Sequence, residues 1–255
     1  MKQALVIVSF GTSVPEARVS ITEVERVLSE AALGCICVRA FTSSIIRSIL
    51  AKRGETVLSL SEALKHLKEE GIRRVFVQPT HLLYGYEYDK LKAEADALAG
   101  GFETLTVGRP LLADNDDILC FARQLCAACP ASESEAAVFM GHGTAHFANA
   151  VYPALQTALH LMGRDDIYIG TVEGWPGLED VLRQLKPCGP LKVRLQPLML
   201  VAGDHARNDM AGEWRERLEQ AGHTVTCSFI GLGELPWVQK MYQERLLKDM
   251  IIVAG

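Results

Sequence analysis

The chain is 255 residues long, room for one large domain or two of about 125 residues each, and its 49% hydrophobic and 22% charged content is that of a folded globular protein. A net charge of −5 and a pI near 5.8 argue against a nucleic-acid binder, which carries a basic footprint, without forbidding a local basic pocket for an acidic ligand. The N-terminal apolar run, Ala4 to Phe10, is too short for a signal peptide or a bilayer span, and the other apolar runs are strand-sized, so the expectation is a cytoplasmic protein with no membrane partner.

Short runs rich in Val and Ile alternate with amphipathic stretches of helical length. The pattern predicts strand 4–9, helix 14–31, strand 35–40, helices 43–53 and 59–70, strand 73–78, helix 86–98 and strand 103–107. It continues with helix 114–128, strand 136–140, helix 145–162, strand 167–171, helix 177–186, strand 191–197, helix 207–221, strand 224–228 and helix 234–249. Such alternation implies α/β architecture, with parallel sheets covered by helices on both faces. Ser13-Val14-Pro15-Glu16 offers an N-cap with Pro and an acid in the first turn; Ser59-Leu60-Ser61-Glu62 does the same for the third helix. Gly71 and Gly222 stand where helix C-terminal caps belong. Seven cysteines without a framework spacing suit free thiols in a reducing compartment. Cys126-x-x-Cys129, with Cys120 upstream, is the one suggestive set, and packing inside helix 114–128 is the simpler role.

The second half repeats the first. Leu5-Val6-Ile7-Val8-Ser9-Phe10-Gly11-Thr12 answers to Ala137-Val138-Phe139-Met140-Gly141-His142-Gly143-Thr144, and the segment Val77 to Glu87 answers to Leu195 to His205. The expectation is two similar domains, 1–130 and 131–255, facing each other across a cleft. The join falls near Ala127 to Ser134, where Pro130 and a Ser-Glu-Ser run interrupt both periods. Whether the last helix packs back on the first half is left open.

Ligands of parallel α/β sheets bind beyond the carboxyl ends of the strands. His142, Glu173 and His205 follow three successive strands of the second half, and Gly141, Gly143 and Gly174 flank them. A His-Glu-His set without Cys suits a borderline divalent ion such as cobalt, nickel, iron or zinc. Ser9, Phe10, Gly11, Thr12 and Ser13 could cradle a substrate carboxylate with hydroxyls and backbone N–H groups at a helix N-terminus, and they form neither a Walker loop nor a dinucleotide fingerprint. His81 and Glu87 lie in the first half's copy of the motif, with Glu87 in the slot of His205. Glu87 is equally readable as a solvated acid favoured by a helix N-terminus.

These motifs resemble the sirohydrochlorin cobaltochelatases of the CbiK family, over essentially the whole chain and in order. The resemblance rests on Val8 to Ser13, Arg39-Ala40-Phe41-Thr42-Ser43, His81, Gly85-Tyr86-Glu87-Tyr88 and Phe139 to Gly143. Its most specific piece is Pro197 to His205 with Asn208-Asp209-Met210, and Gly231-Leu232-Gly233-Glu234 follows. It implies a chelatase-like fold of two α/β domains with a tetrapyrrole cleft between them. The implied reaction is ATP-independent insertion of Co(II) into sirohydrochlorin in anaerobic cobalamin biosynthesis, with Co(II) as metal substrate and no tightly bound cofactor. By position, His142 would be the base that takes pyrrole protons, His205 its partner and a metal ligand, Glu173 a metal ligand and Glu87 a cleft acid. Ser9 to Ser13, His81, Tyr84, Gly85, Gly203 and Asp204 would face the tetrapyrrole. Tyr84, Tyr86 and Trp175 are bulkier than the family pattern suggests. Arg39 and Arg47, and less so Arg207, are candidates to receive the substrate's carboxylates. A related chelatase for iron or nickel, a non-catalytic carrier of tetrapyrrole or metal, and a zinc hydrolase are the alternatives, and homo-oligomerisation is left open.

Overall fold

A computed structural model describes residues 3–131 and 134–254, with side chains to residue 250; Ser132 and Glu133, within the expected interdomain join, lie outside the described residues. All eight predicted strands form: β1 (Gln3–Ser9), β2 (Cys35–Phe41), β3 (Arg74–Pro79), β4 (Thr104–Val107), β5 (Glu135–Gly141), β6 (Ile167–Thr171), β7 (Lys192–Pro197) and β8 (Thr224–Cys227). They make two parallel four-stranded sheets of identical topology, ordered β2-β1-β3-β4 and β6-β5-β7-β8.

The helices are α1 (Arg18–Ala31), α2 (Ser44–Lys52), α3 (Leu60–Glu69), α4 (Tyr86–Leu98), α5 (Asn115–Ala128), α6 (Val151–Leu161), α7 (Leu178–Leu185), α8 (Arg215–Gln220) and α9 (Pro236–Ala254). A 3-10 turn, Phe147–Ala150, precedes α6, and a π-helical segment, Ala206–Trp214, precedes α8. Ser59 and Glu62 form a reciprocal capping box on α3, as expected. Gly71 and Gly222 take positive φ just past α3 and α8. The Ser13 cap does not form. Thr12 Oγ1 accepts the Val14 N–H at 3.2 Å and Pro15 O accepts Arg18 N–H at 3.2 Å, so a separate turn uses the residues meant for the first helical turn. Helix α1 starts at Arg18 behind Ala17, which makes no side-chain cap bond.

The chain divides into one unit running to Leu111 and resuming at Gly233, and a second unit, Leu112–Leu232. This differs at both ends from a split into 1–130 and 131–255. The reason lies in β1 and β5, central strands buried on both faces. In the first unit Ala4, Val6 and Val8 pack with Leu60, Leu64 and Leu67 of α3 and Leu91 of α4. The opposite face of the sheet, to which Leu5 and Ile7 turn, is covered by α1, and α9 packs beside α1. In the second unit Val138 and Met140 pack with Val181 and Leu185 of α7, Met210, Trp214 and Leu218. There α6 lies on β6 and α5 packs beside α6. Each sheet thus needs a second helix on that face: α5 supplies it from before β5, and α9 from the end of the chain.

Helix α9 is fastened by specific contacts as well as by burial. Tyr242 and Leu246 are fully buried, each large apolar side chain contributing about 1.5–3 kcal/mol. Tyr242 OH donates to Thr80 O at 2.6 Å, and Asp249 accepts the Arg109 N–H at 3.0 Å and its guanidinium at 2.9 and 3.1 Å. Among the described residues, no helix is long and apolar enough to cross a membrane.

Candidate metal centre

Three neighbouring strands of the second sheet deliver one donor each. Chain β5 ends at Gly141 and presents His142; β6 ends at Thr171 and presents Glu173; β7 leads through Leu198 to Gly203 and presents His205. One ligand atom from each lies within 4.8 Å of the others, and this is the group of three potential metal ligands found among the described residues. His142 Nδ1 is 3.8 Å from Glu173 Oε2, and the His142 and His205 rings meet edge to face with centroids 4.7 Å apart. The side chains are 47%, 58% and 38% exposed, so a hydrated ion can reach them without opening the core.

The loops are pinned to each other. Glu173 N–H donates to His142 O at 2.7 Å, and Val172 N–H to Gly141 O at 3.0 Å. Asn149 accepts Thr144 N–H through Oδ1 at 3.1 Å and donates from Nδ2 to Trp175 O at 2.5 Å, tying the loop after β5 to the loop after β6. Thr171 reaches Pro176 O through both N–H (2.7 Å) and hydroxyl (2.9 Å). Gly143 has φ +79°, and a Cβ there would stand 2.5 Å from Gly174 N. Only glycine allows this turn and this approach.

The tautomers of both imidazoles follow from their partners. His142 Nδ1 lies 2.8 Å from Gly143 O, and His205 Nδ1 lies 2.8 Å from an oxygen of Asp209. A carbonyl and an ionised carboxylate only accept, so each Nδ1 carries hydrogen and each neutral ring keeps its lone pair on Nε2. Both histidines can therefore ligate a cation or take a proton through Nε2. Asn149 and Asp209 were not singled out for a role by sequence reasoning. Asp209 stands in the Asn208-Asp209-Met210 motif just past His205, but an Asn or Asp early in a helix looks like an ordinary cap, and nothing local pairs it with an imidazole.

The other expected site residues fall differently. Ser9 is fully buried and its hydroxyl accepts from Thr80 at 2.8 Å; Thr12 is also buried. With α1 starting at Arg18, Ser13 heads no helix, so these hydroxyls do not form an anion cradle at a helix N-terminus. Phe10, half exposed, is the member of that run most open to solvent. Arg39 is engaged bidentately by Glu25, with Nε at 2.7 and 2.9 Å, and so is taken by an acid of α1. Arg47 pairs with Glu62 at 3.2 Å. All seven cysteines are free thiols; Cys129 is buried at the end of α5.

His81 and Glu87 belong to the first unit. Glu87 sits in the first turn of α4, behind Gly85 as N-cap. Neither ring nitrogen of His81, nor Glu87 Oε2, has a hydrogen-bond partner in the protein, although all three atoms are shielded from solvent. Burial pushes His81 down from 6.5 to about 4, against a weaker upward pull from Glu87. The folded chain thus holds His81 neutral while the unfolded chain protonates it below 6.5. Stability from this group is present above 6.5 and drains as pH falls towards about 4, by about 3 kcal/mol in all. We expect His81→Gln to flatten the dependence of urea-denaturation free energy on pH between 7 and 4.5. An unchanged slope would rule out His81 as its source.

Parallel strand ends that present an open His-Glu-His set define a class of α/β protein with a candidate divalent-ion site beyond the carboxyl ends of its strands. The family model described as cobalt chelatase (CbiK) matches residues 3–251, and the chain belongs to that family. It is 37% identical over 255 residues to a sirohydrochlorin cobaltochelatase of Salmonella typhimurium, covering 96% of each chain. It is 36% identical over 231 residues to the sirohydrochlorin cobaltochelatase CbiKC of Nitratidesulfovibrio vulgaris, covering 87% of this chain and 81% of that one. Among solved structures, SirB from Bacillus subtilis with Fe3+ superposes with a TM-score of 0.69 at 15% identity, over 97% of this chain and 95% of the other, a likeness of fold.

Proposed function

We propose that this protein inserts Co(II) into sirohydrochlorin, the metal-insertion step of cobalamin biosynthesis, without ATP. Family membership supports the reaction. The single structural observation that carries it is the His142, Glu173 and His205 set, with a ligand atom of each within 4.8 Å of the others.

The reaction exchanges one Co(II) for both pyrrole N–H protons. Glu173, the one anionic member, draws the ion in, and the Nε2 lone pairs of His142 and His205 hold it. As the macrocycle nitrogens take over the metal, the imidazole lone pairs of His142 and His205 are freed, and each can accept one of the two departing protons and pass it to water; a neutral imidazole holds metal or proton, never both at once. His142 is assigned as the base and His205 as its partner and principal metal ligand. Glu87 is assigned as a further acid of the reaction, and its unpartnered Oε2 supports a ligand-facing role. Phe10, His81, Tyr84, Gly85, Gly203 and Asp204 are assigned to substrate contact, with Gly11 and Ser13 shaping the same loop and Ser9 and Thr12 supporting it from inside. Phe147 and Trp175, 82% and 62% exposed on the loops next to His142 and Glu173, offer flat apolar faces to a macrocycle. Co(II) enters as a substrate, and the proposal needs no resident cofactor. Seven free thiols support a reducing, cytoplasmic setting.

The test is the absorbance of sirohydrochlorin with Co(II) and purified protein against a protein-free control, repeated with Fe(II) and Ni(II) because His and Glu donors accept all three. Accelerated formation of the cobalt complex is expected. A bound spectrum without acceleration would make the protein a carrier instead, and no spectral change would remove the tetrapyrrole from the proposal.

A further inference from the structure

We propose that Asp209 is a positioning residue for metal transfer: its carboxylate, 2.8 Å from His205 Nδ1, locks the tautomer and orientation of that ring and strengthens Nε2 as a donor. This rests on the assignment of His205 to the metal.

The geometry makes the two imidazoles unequal. His142 leans on a neutral acceptor, the carbonyl of Gly143, at 2.8 Å. His205 leans on a carboxylate at the same distance. A carboxylate behind a ligating imidazole raises its donor strength and fixes which nitrogen faces the ion, and removing such a partner costs about 10- to 100-fold in metal affinity or activity. The pairing is also prepared by the backbone. His205 and Asp209 are four residues apart, where a helical turn brings side chains together. The segment from Ala206 is a π-helical stretch broken at Gly212, whose φ of −98° and ψ of −106° are non-helical, and Asp209 lies ahead of that break. Met210 and Trp214 bury the inner side of that segment in the core of the second unit, so the Asp209 backbone is held firmly while its side chain stays about one-third exposed. The two histidines are thereby differentiated, His205 as the stronger ligand and His142 as the ring that more readily exchanges metal for proton.

The experiment uses the full chain with Asp209→Asn, which keeps the volume, Asp209→Glu, which restores the charge, His205→Ala, and the double variant His205→Ala/Asp209→Asn. Co(II) binding without tetrapyrrole is measured by calorimetry, and KM and kcat are measured with Co(II) and sirohydrochlorin varied separately. Asp209→Asn is expected to weaken Co(II) binding and raise the KM for Co(II) by about 10- to 100-fold, leave the KM for sirohydrochlorin unchanged, and be partly rescued by Asp209→Glu. In the His205→Ala background it should have no further effect. Parent-like Co(II) binding in Asp209→Asn, an equal rise in both KM values, or an undiminished effect in the His205→Ala background would each overturn the positioning role while an impaired His205→Ala kept the site assignment standing. A His205→Ala variant that binds and inserts Co(II) like the parent would overturn the assignment and the proposal together.

Discussion

His142→Ala is expected to slow cobalt insertion by about 10²- to 10⁴-fold, the span over which a positioned acid or base accelerates proton transfer. The loss should fall on chemistry rather than on folding. The side chain is 47% exposed, and its one close polar contact besides Glu173 is with the carbonyl of the next residue. Its backbone carbonyl, which holds Glu173 N–H, survives the substitution. Thermal unfolding should therefore stay within about 0.5 kcal/mol of the parent. Single-turnover conversion of sirohydrochlorin at saturating Co(II) is the decisive measurement, because it separates the chemical step from product release. A parent-like rate would mean that the protons leave by another route and that His142 is at most a ligand.

Gly143→Ala should be the most damaging small substitution in the second unit, costing about 3 kcal/mol of stability and most of the Co(II) affinity. The residue has φ +79°, and its new methyl would press on Gly174 N at 2.5 Å, Thr171 Cβ at 2.8 Å and Gly174 Cα at 2.9 Å. Two of those three atoms are backbone, with no rotamer to escape into. Moving Gly174 moves Glu173, so strain and lost ligation arrive together. Gly163 supplies the control: it also has positive φ, +73°, yet nothing lies within 4 Å of its missing methyl. Gly163→Ala should cost only about 1 kcal/mol, from its backbone conformation alone, and leave Co(II) binding intact. Denaturant titration and Co(II) calorimetry on the two variants separate the effects. Equal losses in both would mean that the crowding against Gly174 plays no part.

Much of this fold is legible in the sequence because the central strands are continuously apolar, Leu5 to Val8 and Ala136 to Met140, which only burial on both faces explains. The candidate donors His142, Glu173 and His205 are legible for a related reason: each stands past such a run, where a parallel sheet exposes its carboxyl ends. What escaped was decided at a distance. Glu25 takes Arg39 from a helix fourteen residues earlier in the chain, and no local pattern announces that pairing. The exchange of α5 and α9 between sequence halves is a packing outcome, invisible to periodicity because the apolar pattern of a helix does not say which sheet it will cover. The π-helical winding after His205 escaped because its apolar spacing, Ala206, Met210 and Trp214, also fits an ordinary helix.

The matched hydrogen bonds of the two sheets put their strand ends in exact correspondence. Thr80 N–H to Val8 O in the first unit corresponds to Leu198 N–H to Met140 O in the second, and Ser43 N–H to Phe10 O corresponds to Glu173 N–H to His142 O. Through these bonds Phe10 stands at the station of His142, Ser43 at that of Glu173, and Glu87 at that of His205. One backbone frame thus occurs twice, with a candidate donor set at its strand ends in one copy and a single acid in the other. The same hydrogen-bonded scaffold supports two different sets of strand-end side chains, so what distinguishes the units at these stations is side-chain chemistry rather than the path of the backbone.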